Sequence, residues 1–383
     1  MIGILTFYWA DDYGALLQSY GIKTYLNKYQ ETVMIPYYPM ALRSRYRFIQ
    51  VDEKDVFLRR IYRITRQIAG EMWHQRFYGN LKTKCKISSF RKKYLVSSSK
   101  RLQDSREIYE FNKNIDTYVV GSDQVWNPEI TEGLQEGYFC TFRKWRKENS
   151  RYVSYGASIG TERLEERFDQ PVSALLANFD AISLREPSAV SYIKNLWARS
   201  PEVVLDPVFL LNREEWETLI KSKKKRKRKY IAVYYTEYNL RMAEYLRQLE
   251  AYTGLNVLIV NPKIRNVCWT KNQKHAKGCG PLDFLALLYD AEYVVTNSFH
   301  GVSMCIIFHK QFAVFPHSSR DVRLSDILHS VHLETRIAGE GEKPDRINDK
   351  IDWVKVDEAL VEAVKHSKEF IENEICKVPV NSV

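Results

Sequence analysis

"YVVTNSFHGVSMCIIF", residues 293–308, holds the fold decision. Four residues of apolar or β-favouring character lead into a short polar turn. A run that is apolar on every side follows, which suits a buried helix. A strand, a tight turn and a helix in that order make half of a βαβ unit, and they place His300 at the turn. Asn297 and Ser298 are good N-cap residues for the helix. The free N–H groups of a helix start favour phosphate or carboxylate. A ring in that position is a candidate proton donor or acceptor, or a histidine that merely hydrogen-bonds beside a turn.

The same alternation recurs outward from this stretch. "IGILTF" (2–7) leads into "DDYGALLQSYGIKTYL", and "TYVVGSD" (117–123) and "YVSYGASIG" (152–160) are strands ending in glycine turns. "AISLRE" (181–186) precedes a helix opened by Pro187, and "EVVLDPVFLL" (202–211) follows. "YIAVYYT" (230–236), "NVLIVNP" (256–262), "GPLDFLALLYDA" (280–291) and "QFAVFP" (311–316) continue the series. Strands that alternate with helices predict parallel α/β layers. With 383 residues the chain is too long for one ordinary core. The expected fold class is therefore α/β, as two Rossmann-like domains facing a cleft, with a C-terminal helix crossing back to the first domain. The expected limits are a first domain over 1–220 with a basic amphipathic insertion at about 43–101, a basic linker over 221–229, a second domain over 230–355, and a final helix over 356–376. In open α/β sheets ligands bind at the carboxyl ends of the strands. "DDYGA", "GSD", "LRE" and "TNSFHG" are expected there.

Three further stretches carry candidate chemistry. Arg185 ends an apolar strand, and its planar fork suits a carboxylate or phosphate; a salt bridge with Glu186 is the other reading. In "VVGSDQVWNP" (119–128), Gly121 permits a tight turn, Asp123 is a carboxylate for a sugar hydroxyl, and Trp126 is a surface on which a sugar ring can stack. A turn with Trp126 in the core accounts for the same residues. In "ADDYGALLQ" (10–18), Tyr13 and Gly14 open a helix in the manner of half a phosphate-binding fingerprint. No P-loop, GxSxG or HExxH motif occurs.

Charge is unevenly spread. The formal net charge is +11, yet residues 43–101 hold 17 Lys/Arg against 4 Asp/Glu, and "KSKKKRKRK" (221–229) holds 8 basic residues in nine. Phe57, Ile61, Ile64, Ile68 and Met72 form a stripe at helical spacing with arginines mostly off it. Such a helix suits an anionic membrane surface, or packs on the domain with a solvated basic face. The six cysteines are scattered without a CxxC pair, which fits a reducing compartment; Cys268, His275 and Cys279 are too loose to argue for a metal. The opening "MIGILTFYWADDYGA" reads as strand and turn rather than as a secretion signal, and no run reaches the length of a membrane span.

Taken in order, "GILTFYWADDYGALLQSYGI", "YVVGSDQVWNP", "YGASIG", "ISLREPSAV", "VLDPVFLL", "GPLDFLALLYDAEYVVTNSFHGVSMCIIF" and "RLSDIL" resemble the polysaccharide pyruvyl transferase family from residue 3 to about 330. The resemblance implies a glycosyltransferase-B-like fold. It also implies transfer of the enolpyruvyl-derived unit of phosphoenolpyruvate to sugar hydroxyls as a pyruvate ketal, with no metal or cofactor and no nucleic acid. It makes His300 the acid/base group and Arg185 the anion clamp; Asp123, read from its own turn, is the third catalytic candidate. Asn297, Ser298, Gly301, Arg323, Gly121, Ser122, Gln124, Trp126, Asn127, Tyr13 and Gly14 become candidate substrate contacts. Family members with "R-x-H" at this turn carry an arginine where Ser298 stands here; either Ser298 with the backbone N–H groups substitutes, or Arg323 in "DVRLSDIL" reaches in. The acceptor implied is a saccharide of a capsule or exopolysaccharide, or one on a lipid-pyrophosphate carrier. The implied location is cytoplasmic, with the basic segment against the anionic inner membrane surface. A nucleotide-sugar-dependent glycosyltransferase on the same architecture is the alternative.

Overall fold

The computed structural model describes residues 1–43, 80–96, 100–111, 113–145, 149–226, 228–260, 269–316 and 322–376. The stripe over residues 57–72 and Cys268 lie outside them.

Eleven strands build two parallel sheets among the described residues. The first contains β1 (Ile2–Leu5), β2 (Thr32–Met34), β3 (Thr117–Val120), β4 (Arg151–Ala157), β5 (Ala181–Leu184) and β6 (Glu202–Val203), in the order β2-β1-β3-β4-β5-β6. The second contains β7 (Tyr230–Tyr234), β8 (Asn256–Ile259), β9 (Lys274–His275), β10 (Tyr293–Thr296) and β11 (Gln311–Val314), in the order β11-β10-β7-β8-β9. The central strands read as continuous apolar runs because helices cover both faces of a parallel sheet. Every residue of β1, β3, β5 and β7 is buried. The chain forms two Rossmann-like domains of the glycosyltransferase-B-like type.

Both sheets reverse direction of growth once, between β1 and β3 in the first and between β7 and β10 in the second. Register brings Leu5 level with Val120, and Tyr234 level with Thr296. The loops leaving these strands part to opposite faces of the sheet and open a crevice, the usual ligand position in this architecture. One helix begins at each crevice. Tyr13–Leu26 is capped by Asp12, whose carboxylate accepts the Ala15 N–H; Phe299–Ile307 is capped by Ser298, whose hydroxyl accepts the Gly301 N–H.

The C-terminal helix Trp353–Phe370, with the wider turn Ile371–Ile375, ties the halves together. Its start holds the second domain, where His309 stacks on Trp353 and bonds Asp357 at 2.9 Å. Its end lies on the first domain: the Leu205 N–H donates to Ser367 Oγ, and Arg151 pairs with Glu374 at 2.6 Å. Ile371 and Ile375 are buried there, whereas Val361 is 65% exposed. Within the basic run, Lys223 pairs with Asp283 and Lys229 with Glu292, both in the second domain. Lys86 reaches the same Asp283 from the end of the insertion.

Candidate active site

Four loops at strand carboxyl ends converge. "DDYGA" follows β1, "GSD" follows β3, "LRE" follows β5 and "TNSFHG" follows β10.

Arg185 leaves β5 and is only 6% exposed. Its Nη1 donates to Asp206 Oδ2 at 2.6 Å; its Nε lies 3.4 Å from Glu186 Oε1 and its Nη2 3.8 Å from Asp123 Oδ1. The guanidinium carbon stands 4.7 Å from the centre of the Phe299 ring, a cation–π contact across the cleft. Both readings of the sequence therefore meet at this residue, since the salt bridge to Glu186 exists at a strand end. Burial alone would lower the pKa of Arg185, but the carboxylates of Asp206, Glu186 and Asp123 outweigh it and raise it beyond the ordinary arginine value.

Asp206, in the loop after β6, joins the two domains' chemistry and is 1% exposed. Oδ1 accepts the Val208 N–H at 3.1 Å. Oδ2 takes Arg185, accepts weakly from Ser122 Oγ at 3.4 Å, and stands 3.6 Å from His300 Nε2. Burial pushes its pKa up, but His300, Arg185 and the Val208 N–H pull harder and hold it below the usual carboxylate range.

His300 occupies the first turn of its helix and is 8% exposed. Nε2 faces Asp206 and the Nδ1 edge rests on Gly14 of the first domain. A Cβ on residue 14 would overlap Nδ1. Gly14 is therefore present for close approach across the cleft, not for an unusual backbone angle.

The remaining candidates divide by role. Asn297 braces the second crevice: Oδ1 accepts the Thr236 N–H at 2.8 Å and Nδ2 donates to Glu237 O. Gly301 lets its helix lie against Thr296 and Tyr234. Gly121 has φ +109°, and a Cβ there would meet the Tyr155 carbonyl. Ser122 is buried and donates to Gly156 O, leaving Asp123 as the half-open group of its turn. Gln124 and Asn127 bond each other, and Asn127 caps the short helix Pro128–Thr131. Tyr13 donates to Cys279 O at 2.7 Å and stacks on Phe284, pinning the first domain to the second. Arg323 and Arg185 line one cavity of about 150 Å³ with Phe299, Asp206 and Asp326.

Trp126 is a correction. It is 1% exposed, stacks on Phe139 and donates from Nε1 to Tyr138 O, so no face of the ring is open to a sugar. The aromatic rings that bury it are Phe139, from the turn after Gln135, and Phe179, just before β5, and neither lies in 119–128. Asp206 is the converse, a central residue that sequence reasoning missed. The available signal was Asp-Pro after an apolar run, an N-cap followed by proline at N1.

The family description "Polysaccharide pyruvyl transferase" matches residues 12–319. The chain belongs to the polysaccharide pyruvyl transferase family. It is therefore a transferase. The matched span contains Tyr13, Gly14, Asp123, Arg185, Asp206 and His300, and ends just short of Arg323. Among solved structures, this pyruvyl transferase family member is similar to a protein from Listeria monocytogenes described as a UDP-N-acetylglucosamine 2-epimerase. That pair has TM-score 0.51 and 12% identity over 95% of this chain and 90% of that one. It is also similar to the MnaA–UDP structure from S. aureus, with TM-score 0.50 and 11% identity over 99% and 98%. At such identities the likeness concerns the fold alone. No curated protein sequence matches the chain.

Proposed function

We propose that the protein transfers the enolpyruvyl-derived unit of phosphoenolpyruvate to two hydroxyls of a saccharide, forming a pyruvate ketal and releasing phosphate. One observation supports this reading above the others: His300 and Arg185 come from different domains and meet on one buried carboxylate, where the two crevices face each other.

The chemistry asks for those groups. C3 of the donor gains a proton, which makes C2 electrophilic. One sugar hydroxyl adds to C2, phosphate leaves with the C2–O bond pair, and a second hydroxyl closes the ring. His300 is the acid at C3. Asp123, the partly open carboxylate beside Arg185, accepts the proton of an attacking hydroxyl. Because Asp206, Glu186 and Asp123 already offset the charge of Arg185, the donor's anionic groups also need Arg323 and the first-turn N–H groups of the His300 helix. Arg323 thereby takes the part of the arginine that Ser298 replaces.

The test compares ligands. Phosphoenolpyruvate is expected to raise the thermal midpoint, and phosphate release is expected with an added saccharide acceptor. Stabilisation by a nucleotide sugar, with none by phosphoenolpyruvate, would overturn the reading in favour of glycosyl transfer. A lipid-pyrophosphate-linked acceptor at the inner membrane surface fits the charge of residues 43–101. Among the described residues no helix is long and apolar enough to cross a membrane. Flotation with anionic vesicles at low salt checks surface binding; protein left at the bottom of the gradient rules it out.

A further inference from the structure

We propose that the basic run 221–229 and Lys274 form a ligand site separate from the crevices. It is a cavity at the amino end of the second sheet that binds a phosphate group, carried by a lipid headgroup or by a soluble diphosphate.

The run is fixed along one helix. Lys223 pairs with Asp283 at 2.6 Å, in the first turn of the helix Pro281–Asp290. At the other end of that helix the Arg226 N–H donates to Asp290 Oδ2 at 3.1 Å, and Lys229 pairs with Glu292 at 2.9 Å. The Arg226 guanidinium stands 5.5 Å from the centre of the Tyr230 ring. A linker of lysines and arginines ordinarily repels itself and extends. Here three anchors hold the charges together.

They enclose a cavity of about 260 Å³, which Arg226, Arg228, Lys229 and Lys274 line together with Tyr230 and Asn256. Glu292 offsets Lys229, and the Asp290 carboxylate accepts a backbone N–H. Among the described residues, Arg228 and Lys274 make no ion pair. A concave surface lined by one sign of charge concentrates counter-ions, and like charges held this close are relieved by an anion. The planar fork of arginine matches two phosphate oxygens, while lysine supplies a point charge. The Tyr230 hydroxyl is already engaged, since it donates to Leu287 O at 2.8 Å. The cations therefore carry the recognition.

The place is remote from the candidate active site. Tyr230 is level with Asn256 at the amino ends of β7 and β8, whereas the crevice opens beyond Tyr234 and Thr296 at the other end of the sheet. The insertion adds charge beside it. Lys82 and Lys86, on the helix Asn80–Phe90, lie against Gly278 and Gly280, in the connection that leads from Lys274 to the helix Pro281–Asp290. Basic residues from three separate stretches of the chain thereby meet along that helix and β9.

The test compares the full-length protein with the double variant Arg228→Gln, Lys274→Gln, in which no ion pair among the described residues is broken. Flotation with vesicles of phosphatidylglycerol and phosphatidylcholine reads the lipid source. Calorimetric titration with sodium pyrophosphate reads the soluble one. A basic residue near an anionic surface contributes about fivefold to binding, so the double variant is expected to bind about 30-fold more weakly. Such a loss on vesicles identifies a headgroup; a loss with pyrophosphate alone identifies a soluble diphosphate. Pyrophosphate bound in the crevices would survive the double substitution, so the titration separates the two places. If the variant binds both probes as the wild type does, or the wild type binds neither, the proposal is overturned. Arg228→Lys with Lys274→Arg keeps both charges and is expected to bind like the wild type. If it binds as weakly as the glutamine pair, charge is not what the cavity offers, and the proposal is overturned. Neither measurement uses turnover, so the outcome is independent of the pyruvyl transfer reading.

Discussion

The carboxyl ends of the two sheets contrast in charge. Around the first crevice stand Arg185, Asp206, Glu186 and Asp123, four charged groups of which three are buried. Around the second, Thr236, Asn297 and Ser298 are neutral and His300 is the titratable group of the turn, while Arg323 and Asp326 of the helix Val322–Ser330 stand on the shared cavity. Buried charges must neutralise one another, so they belong to one domain and fold together. The ring can come from elsewhere because it is stable uncharged. The two domains thus contribute differently: one holds a buried electrostatic frame, the other brings the ring, and they touch at Gly14 and Asp206.

Replacing the ring tests the larger half of that contrast. His300→Gln is expected to lower phosphate release about 10²- to 10⁴-fold, the range for a positioned acid/base group, with circular dichroism unchanged. Turnover within tenfold of wild type would return the proton chemistry to the first domain.

Breaking the frame should act on stability as well as on activity. Arg185→Met leaves Asp206 and Glu186 in a dry place without their cation, and a loss of about 3–5 kcal/mol is expected, read from urea unfolding. The pH dependence carries a sign. Asp206 is held below its ordinary value, so its contribution is fully present above the unfolded value of about 3.9 and is lost as pH falls toward the folded value. In Arg185→Met that hold weakens, and the fall in stability below about pH 4 becomes shallower than in the wild type.

The seam between the regions can be disturbed alone. Gly14→Ala places a methyl group where Nδ1 lies. A displaced ring is expected to lower kcat by about 100-fold, since an ångström of misplacement has that effect, with unfolding free energy reduced by only about 1–3 kcal/mol, as for other overpacked sites. Equal and large losses of stability and activity would show that the contact is merely structural.

The smallest effect is expected far from the crevices. Lys86→Met or Lys223→Met each leaves Asp283 with its other cation, and both ammonium groups are partly solvated. Each is expected to cost under about 1 kcal/mol in urea unfolding.

Much of this was legible in one dimension. Buried parallel strands are continuous apolar runs, so β1, β3, β5, β7 and β10 stand out, and residues that follow such runs must emerge at a carboxyl end. That reasoning locates Arg185, Asp123 and His300. It mistakes Trp126, because a tryptophan beside a polar turn looks the same whether Phe139 or solvent covers it. It passes over Asp206, whose cap is a local feature but whose hold on Arg185 and His300 joins three separate loops.

The order of residues by itself determined the two α/β domains and the loops that carry charge and ring, because periodicity and capping act over a few neighbours. Only the tertiary structure decided that Gly14 meets His300 and that one carboxylate stands beside both Arg185 and His300. Those are distances between segments remote in the chain, set by how the two domains pack, and no local pattern encodes them.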